Sequence, residues 1–80
     1  MTIWEFNSYS FGHDLKLLRE ERRLTQTQLA KRAKLNINSV QNYESGYRLP
    51  KLEILIDLAR VLGVDEIRID TRKGGGRYGA

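Results

Sequence analysis

Residues 25–46, TQTQLAKRAKLNINSVQNYESG, constrain the fold more than any other part of this 80-residue chain. Thr25 followed by Gln28 matches a capping box, in which two side chains satisfy free backbone N–H groups at a helix start. Asn36 is a favourable N-cap for a second helix, and Gly46 can adopt the left-handed conformation that ends one. The segment therefore predicts two helices of about two turns or less, joined by a very short linker.

Apolar residues at helical spacing extend this pattern in both directions. A first helix is predicted over residues 12–22, and a fourth helix is predicted to end at Gly63. The apolar side of the first helix is expected to comprise Leu15, Leu17, Leu18, Arg22 and Leu24. The apolar positions of the fourth helix are Leu52, Leu55, Ile56, Ala59 and Leu62.

The two ends of the chain have a different pattern. Ile67 and Ile69 alternate with charged residues over 66–72, and residues 2–6 are rich in strand-forming side chains. We expect the two segments to pair as short β-strands; a fifth helix over residues 64–69 is the alternative. The Gly-rich basic residues 73–80 are predicted to form a flexible tail.

Length and composition favour a binding module over an enzyme. A chain of 80 residues forms one small domain, predicted over residues 1–72 with its core in 13–64, and it has little room for a catalytic cleft. It contains no cysteine, which excludes disulfides and thiolate zinc sites. No apolar run approaches the ~20 residues needed to span a membrane, and the start lacks a signal-peptide pattern. We therefore expect a soluble cytoplasmic protein.

Charge is distributed unevenly along the chain, which has a formal net charge of +4. Residues 25–50 hold four lysines and arginines against Glu44 alone, whereas residues 51–71 hold five carboxylates against three basic side chains. A basic patch opposite an acidic face is typical of a protein that approaches a polyanion with one side. Charge alone leaves open that these residues only increase solubility.

The second helix of the central segment is unusual because its polar side chains are mostly neutral amides. A helical wheel places Val40 and Tyr43 on one side and an amide-rich face on the other. That face comprises Ile37, Asn38, Gln41 and Asn42. Amide side chains match the donor and acceptor pair of adenine in the major groove, and an aliphatic side chain can contact a thymine methyl. The face could read DNA bases; a merely polar helix surface is the alternative.

Several spaced motifs resemble those of the phage repressor and Cro family, also called the Xre family. They are LTQTQLA, YESGYRLP and LARVLGV, and the resemblance covers about residues 15–64. It implies an all-α, repressor-like helix-turn-helix domain of four or five helices, with the short terminal strands as a possible addition. It also implies a homodimer on a double-stranded, pseudo-palindromic DNA operator, without a cofactor or metal.

The resemblance assigns roles position by position. The base-contacting positions are Ile37, Asn38, Gln41 and Asn42. The positions expected to contact the DNA backbone are Gln26, Asn36, Tyr47, Arg48 and Lys51. Gln26 is also expected to brace the first base-reading amide, and Arg19 is expected to form a buried structural ion pair with Glu44. Two residues depart from the family pattern: Lys34 replaces a glycine in the turn, and Ile37 replaces a polar residue.

Other candidate sites are weak. His13 is the single histidine, which leaves it without a second metal ligand or a catalytic partner. The N-terminal aromatic residues could form a platform for single-stranded nucleic acid, but we expect them to cover the core or a subunit interface. They are Trp4, Phe6, Tyr9 and Phe11.

The sequence as a whole predicts a cytoplasmic, prokaryotic or phage transcriptional repressor that has no enzymatic activity. One alternative is the antitoxin of a toxin–antitoxin pair, which would bind a toxin protein and repress its own operon. A second alternative is a general nucleic-acid or ribosome-associated adaptor that uses the basic surface without reading bases.

Overall fold

A computed structural model describes residues 2–69. Four helices lie between two short strands that pair with each other. In chain order the elements are β1 (Ile3–Phe6), α1 (Phe11–Glu21), α2 (Gln26–Arg32), α3 (Ile37–Glu44), α4 (Leu52–Val61) and β2 (Glu66–Ile69). The predicted all-α helix-turn-helix fold with terminal strands is confirmed. The predicted tail, residues 73–80, lies outside the described residues, as do residues 70–72 of the predicted second strand.

The helix ends form where the sequence places them. Thr25 and Gln28 exchange both capping-box hydrogen bonds, at 3.0 and 2.9 Å. The Asn36 side chain accepts from the backbone N–H of Asn38 at 2.8 Å, which caps α3. Gly46 follows α3 with a φ of 82°. These local signals fix where α2 and α3 begin and end, and so fix the length of the connection between them.

The core is formed by one buried apolar cluster beneath the helices and the ribbon. Its fully buried side chains include Phe11, Leu15, Leu29, Val40, Leu55, Leu58 and Leu62. The predicted apolar sides were too wide at three positions, because Leu17, Leu52 and Ile56 remain more than two-fifths exposed. Leu52 and Ile56 lie at the border of the buried face of α4, where periodicity alone does not distinguish core from rim, whereas Leu17 lies on the side of α1 opposite Leu15 and Arg19.

The strands pair in parallel, with Ile3 opposite Glu66 and Phe6 opposite Ile69. Backbone and side-chain bonds between Thr2 and Asp65 extend the pairing by one position. Residues 66–69 therefore form a strand and not the alternative fifth helix. The physical reason is that β1 offers a pairing edge at this point, while the alternating isoleucines lie against the core cluster.

The N-terminal aromatic side chains belong to the core. Trp4 stacks on Phe11, with ring centroids 5.3 Å apart, and Phe6 packs against the same ring at 5.5 Å. Tyr9 is the exception, because it is almost fully exposed. The hypothesis of an aromatic platform for single-stranded nucleic acid is therefore wrong, because three of its four rings are buried.

Among residues 2–69, two residues other than glycine have left-handed backbone conformations. Lys34, at the position where glycine is usual, has a φ of 58°, as its place in the turn led us to expect. Arg23, directly after α1, has a φ of 56° and was not predicted. Each conformation costs on the order of 1 kcal/mol relative to glycine, because the Cβ crowds the backbone.

Gly12 permits the closest approach between two helices. A Cβ at this position would lie 2.5 Å from the carbonyl oxygen of Glu44 and 2.6 Å from that of Tyr43. The first turn of α1 therefore lies directly on the C-terminal end of α3. Only glycine allows this contact without a shift of the backbone.

Candidate DNA-binding surface

Helix α3 is held by one side and exposed on the other. Val40 and Tyr43 are buried in the core. Ile37, Asn38 and Gln41 are exposed, and Asn42 is half-buried near the end of the helix. We call these four residues the reading face. The predicted division of α3 into an apolar and an amide face therefore matches its burial, although contact of this face with DNA remains a prediction.

An ion pair lies behind the reading face. The guanidinium of Arg19 donates to both carboxylate oxygens of Glu44, at 2.6 and 3.1 Å, and also to the carbonyl oxygen of Leu24 at 2.7 Å. Both charged side chains are at most one-tenth exposed. The hydrogen bond to Glu44 raises the pKa of Arg19 above its ordinary value. The pair therefore ties α1 to the end of α3.

A short chain of hydrogen bonds connects this ion pair to the surface. The side-chain N–H of Gln26 donates to Glu44 Oε1 at 3.0 Å. The side-chain N–H of Gln41 in turn donates to Gln26 Oε1 over 3.5 Å, a long contact. Gln26, at the first position of α2, is thus a link between the buried carboxylate and an exposed amide.

The direction of these bonds has a chemical consequence. A carboxylate only accepts hydrogen bonds, so it requires the amino group of Gln26 to point toward Glu44. The carbonyl of Gln26 then faces Gln41 and requires the amino group of Gln41 to face it. Gln41 keeps its own carbonyl oxygen and its second N–H for an external ligand. That donor and acceptor pair is what adenine recognition needs.

The contact made by Gln26 differs from the expected one. The sequence predicted that Gln26 would brace Asn38, the first amide of the reading face, whereas it contacts Gln41. Asn38 lies nearer the start of α3, beside the Asn36 cap, while Gln41 lies one turn later, on the side that meets α2. The prediction was right about bracing but wrong about its target.

The candidate backbone-contacting residues lie beyond both ends of α3. Asn36 precedes it, while Tyr47, Arg48 and Lys51 follow it, and all four are exposed. The backbone N–H groups of Tyr47 and Arg48 both donate to the carbonyl oxygen of Asn42, which folds this segment back against the helix end. Burial raises the pKa of Tyr43, and the nearby charge of Arg48 partly offsets the shift. Arg48 therefore lies close to the end of α3.

Sequence reasoning missed Gly12 as a site residue. The first helix was predicted to begin at this residue, but nothing in the sequence indicated that Gly12 sets how closely α1 approaches α3. The signal was weak, because a glycine before a helical pattern is usually explained by capping.

Within the part of the chain that the structure describes, no group of metal-binding side chains is found, and none of the helices has both the length and the hydrophobicity to span a bilayer. His13 is exposed on α1.

Comparison with known proteins agrees with this geometry. A family model described as helix-turn-helix matches residues 15–69. The chain is also 36% identical over 55 residues to multiprotein-bridging factor 1 of Candida albicans. That alignment includes 69% of this chain and 36% of the length of the fungal protein. Because the family model covers more than half of the chain, the protein belongs to the Xre/Cro-like helix-turn-helix family of DNA-binding regulators.

Proposed function

We propose that the protein is a sequence-specific transcriptional repressor that binds a pseudo-palindromic double-stranded operator as a homodimer. The observation that carries this proposal is the reading face, whose exposed amide Gln41 is tied through Gln26 to a buried ion pair. A side chain that is ordered before binding loses less conformational entropy when it meets a base. Repression then follows from occupancy of a promoter.

The proposed division of labour separates neutral from charged side chains. Asn38, Gln41 and Asn42 read base edges, and Ile37 contacts a thymine methyl. Asn36, Tyr47, Arg48 and Lys51 contact sugar and phosphate from the two ends of α3, as does Gln26 from the start of α2. Contacts to the phosphates set the position of the helix, and contacts to the bases supply the discrimination.

A homodimer is proposed because one helix of this size reads too few base pairs for a specific site. A groove between β2 and α4 is the proposed contact, since it is lined by apolar Ile56, Val64 and Ile67 together with charges of both signs. Arg60 of one copy can there meet Asp65 or Glu66 of the other. Such self-complementarity is what a two-fold interface requires.

The primary experiment is a selection of bound fragments from a random double-stranded DNA library with the full chain. We expect enrichment of two inverted half-sites whose centres are about 34 Å apart, one helical turn. Enrichment of no sequence would refute the proposal and favour an adaptor role.

The reading face is tested by Asn38→Ala and Gln41→Ala. Each should weaken binding to the selected operator by about 1–3 kcal/mol and binding to random DNA by much less. Fluorescence anisotropy with both DNAs measures the difference. Equal losses on the two DNAs would exclude base reading by these amides.

The backbone role of Arg48 is tested separately. Arg48→Ala should weaken binding to all DNA and reduce the slope of log affinity against log salt by about one. Lys16→Ala is the matched control, because it removes an exposed cation on α1 that is neither a proposed phosphate contact nor part of the proposed dimer groove. An unchanged slope for Arg48→Ala would remove Arg48 from the interface.

The dimer surface is tested by sedimentation of Ile56→Lys, which should shift the protein toward monomer. Deletion of the N-terminal residues is a less clean test, since it removes the buried Trp4 and Phe6. Lys16→Ala, on the exposed side of α1, is the control. A dimer that survives Ile56→Lys would place the interface elsewhere.

The similarity to multiprotein-bridging factor 1 supports one second candidate. The name of that protein denotes a bridging role, so this domain could connect proteins instead of reading an operator. The selection experiment separates the two functions: a bridging protein would enrich no half-site, and Asn38→Ala would leave its activity unchanged.

A further inference from the structure

A second groove, with a volume of about 350 Å³, lies between β1 and α1. It is lined by Ile3, Trp4 and Glu5 of the strand and by Asp14, Leu17 and Glu21 of the helix, among others. Side chains of successive strand residues point to opposite faces of a sheet. Because three successive residues line this groove, it runs along the edge of β1 and not over one face. Within residues 2–69, residues 3–5 of β1 pair with β2 alone, so their other edge has no strand partner in that range.

The groove is acidic although the chain as a whole is basic. Glu5, Asp14 and Glu21 line it, and none of its lining residues is a lysine or arginine. Asp14 accepts from the Ser10 hydroxyl at 2.9 Å, while Glu21 has a surface contact with Arg22 at 3.1 Å. These contacts leave a net negative charge along the groove. A ligand that fits it should therefore be cationic.

An unsatisfied donor provides an independent observation. Trp4, which lines the groove, is 97% buried, since its relative exposure is 3%. Its indole Nε1 is the only buried side-chain polar atom in residues 2–69 that lacks a hydrogen-bond partner. Nearly all buried polar groups in folded proteins have partners. Because this nitrogen is buried, an acceptor that enters the groove reaches it only if the atoms that cover it move aside.

The position of the groove keeps it away from the reading face. On α1, Gly12 and Arg19 face α3, whereas Leu17 and Glu21 lie roughly half a turn around the helix from them. A ligand in the groove therefore meets neither the reading face nor the phosphates beside it. The two surfaces can be occupied at the same time.

We propose that this groove binds an extended segment of a partner protein, which adds a third strand at the edge of β1 and carries lysine or arginine between apolar residues. The cations would lie on the same side of the ribbon as Glu5 and would meet Glu5 and Glu21, while the apolar side chains would lie on the other side, toward Trp4. Backbone carbonyls of the segment belong to the acceptor class that the Trp4 indole lacks. A second copy of this chain fits less well, because a two-fold contact here would place carboxylates against carboxylates.

The experiment is a titration of the isotope-labelled full chain with the peptide acetyl-KVKVKVK-amide, followed by NMR. We expect saturable shifts of the backbone amides of residues 3–5 and 17–21. The variant Glu5→Lys/Glu21→Lys should bind at least tenfold more weakly, and Glu5→Gln/Glu21→Gln should give an intermediate loss. The matched control Glu20→Lys/Glu53→Lys makes the same change in net charge outside the groove and should bind within twofold of the parent.

Strand pairing is tested with acetyl-KVKPKVK-amide, in which proline removes a backbone donor without changing the charge. It should bind at least tenfold more weakly. Three results would each overturn the proposal. They are equal affinity for both peptides, equal losses of affinity in Glu5→Lys/Glu21→Lys and its control Glu20→Lys/Glu53→Lys, and shifts centred on α4. A fourth is a loss of dimer in Glu5→Lys/Glu21→Lys, which would make a second copy the occupant. A change in the amide shifts of residues 3–5 in the peptide-free variant Lys73→Glu/Arg77→Glu would also overturn the proposal. That result would show that this chain's own C-terminal segment occupies the groove. None of these outcomes depends on whether α3 reads DNA.

Discussion

The reading face on α3 and the groove between β1 and α1 are both exposed surfaces, but they are supported in opposite ways. Behind the reading face, a neutral amide is connected by hydrogen bonds to an ion pair that is itself buried. Along the groove, carboxylates line a strand edge, and Trp4, another lining residue, has a buried indole N–H without a hydrogen-bond partner within residues 2–69. The first surface is ordered before a ligand arrives, whereas the second has unsatisfied groups that a ligand could complete.

The comparison depends most on the buried ion pair, so its loss should have the largest effect. Arg19→Ala leaves the Glu44 carboxylate buried without its cation and should lower the free energy of unfolding by roughly 3–5 kcal/mol. Urea denaturation measures this loss. The control is Glu21→Ala beside the groove, whose exposed contact with Arg22 should contribute no more than about 1 kcal/mol. Similar losses in the two variants would remove the distinction between the surfaces.

The next largest effect is expected at Gly12, on the side of α1 that faces α3. Gly12→Ala places a methyl group against two backbone carbonyl oxygens that cannot rotate away, and should cost about 1–3 kcal/mol of stability. Thermal unfolding is the measurement, with the exposed Lys16→Ala as the control. A neutral Gly12→Ala would show that α3 can shift, and that the reading face is less fixed than its hydrogen bonds suggest.

A smaller effect should follow from removing the hydrogen bonds through which Gln26 connects the buried Glu44 to the exposed Gln41. Gln26→Ala leaves the ion pair in place but removes the acceptor that orients Gln41. Binding to the selected operator should weaken by about 1 kcal/mol, because the preference for the base opposite Gln41 is reduced. Loss of the proposed backbone contact of Gln26 should weaken binding to all DNA equally, so the preference is the diagnostic quantity. Thr27→Ala, exposed on the same helix, should leave that preference unchanged. An unaltered preference in Gln26→Ala would mean that Gln41 needs no brace.

The smallest effects concern the two left-handed residues, which form a matched pair. Lys34→Gly and Arg23→Gly each relieve a strained conformation and should stabilise the fold by at most about 1 kcal/mol. Lys34 lies in the turn between α2 and α3, where we expect its cation to lie near the phosphates, whereas Arg23 follows α1. DNA affinity should therefore fall for Lys34→Gly alone. Equal changes in affinity would show that the lysine is retained for a reason other than phosphate contact.

The sequence was most informative where structure depends on neighbouring residues. The capping box at Thr25, the Asn36 cap and the turn at Gly46 are local, and they form as predicted. The division of α3 into two faces likewise follows from helical periodicity. The Arg19–Glu44 pair was expected only from resemblance to a family, because nothing local predicts a contact over 25 residues.

What the sequence did not predict depends on packing between distant segments. Three features are of this kind: the close approach at Gly12, the contact of Gln26 with Gln41 instead of Asn38, and the parallel direction of the ribbon. Periodicity assigns a face to each helix, but it does not give the distance between two helices or the rotamer of a side chain between them. The groove between β1 and α1 could be recognised only once both elements were in place.

The parallel ribbon also sets an order of events during folding. Its strands are separated by all four helices, so closing this loop costs more chain entropy than any contact within the helix-turn-helix. Pairing should therefore come late, after α1–α4 have packed, and β2 leaves the ribosome after all four helices. Until then β1 has two open edges and Trp4 and Phe6 lack part of their cover. The ribbon is thus where chaperone contact and misassembly between nascent chains should concentrate, and where native-state hydrogen exchange should be fastest among the paired segments.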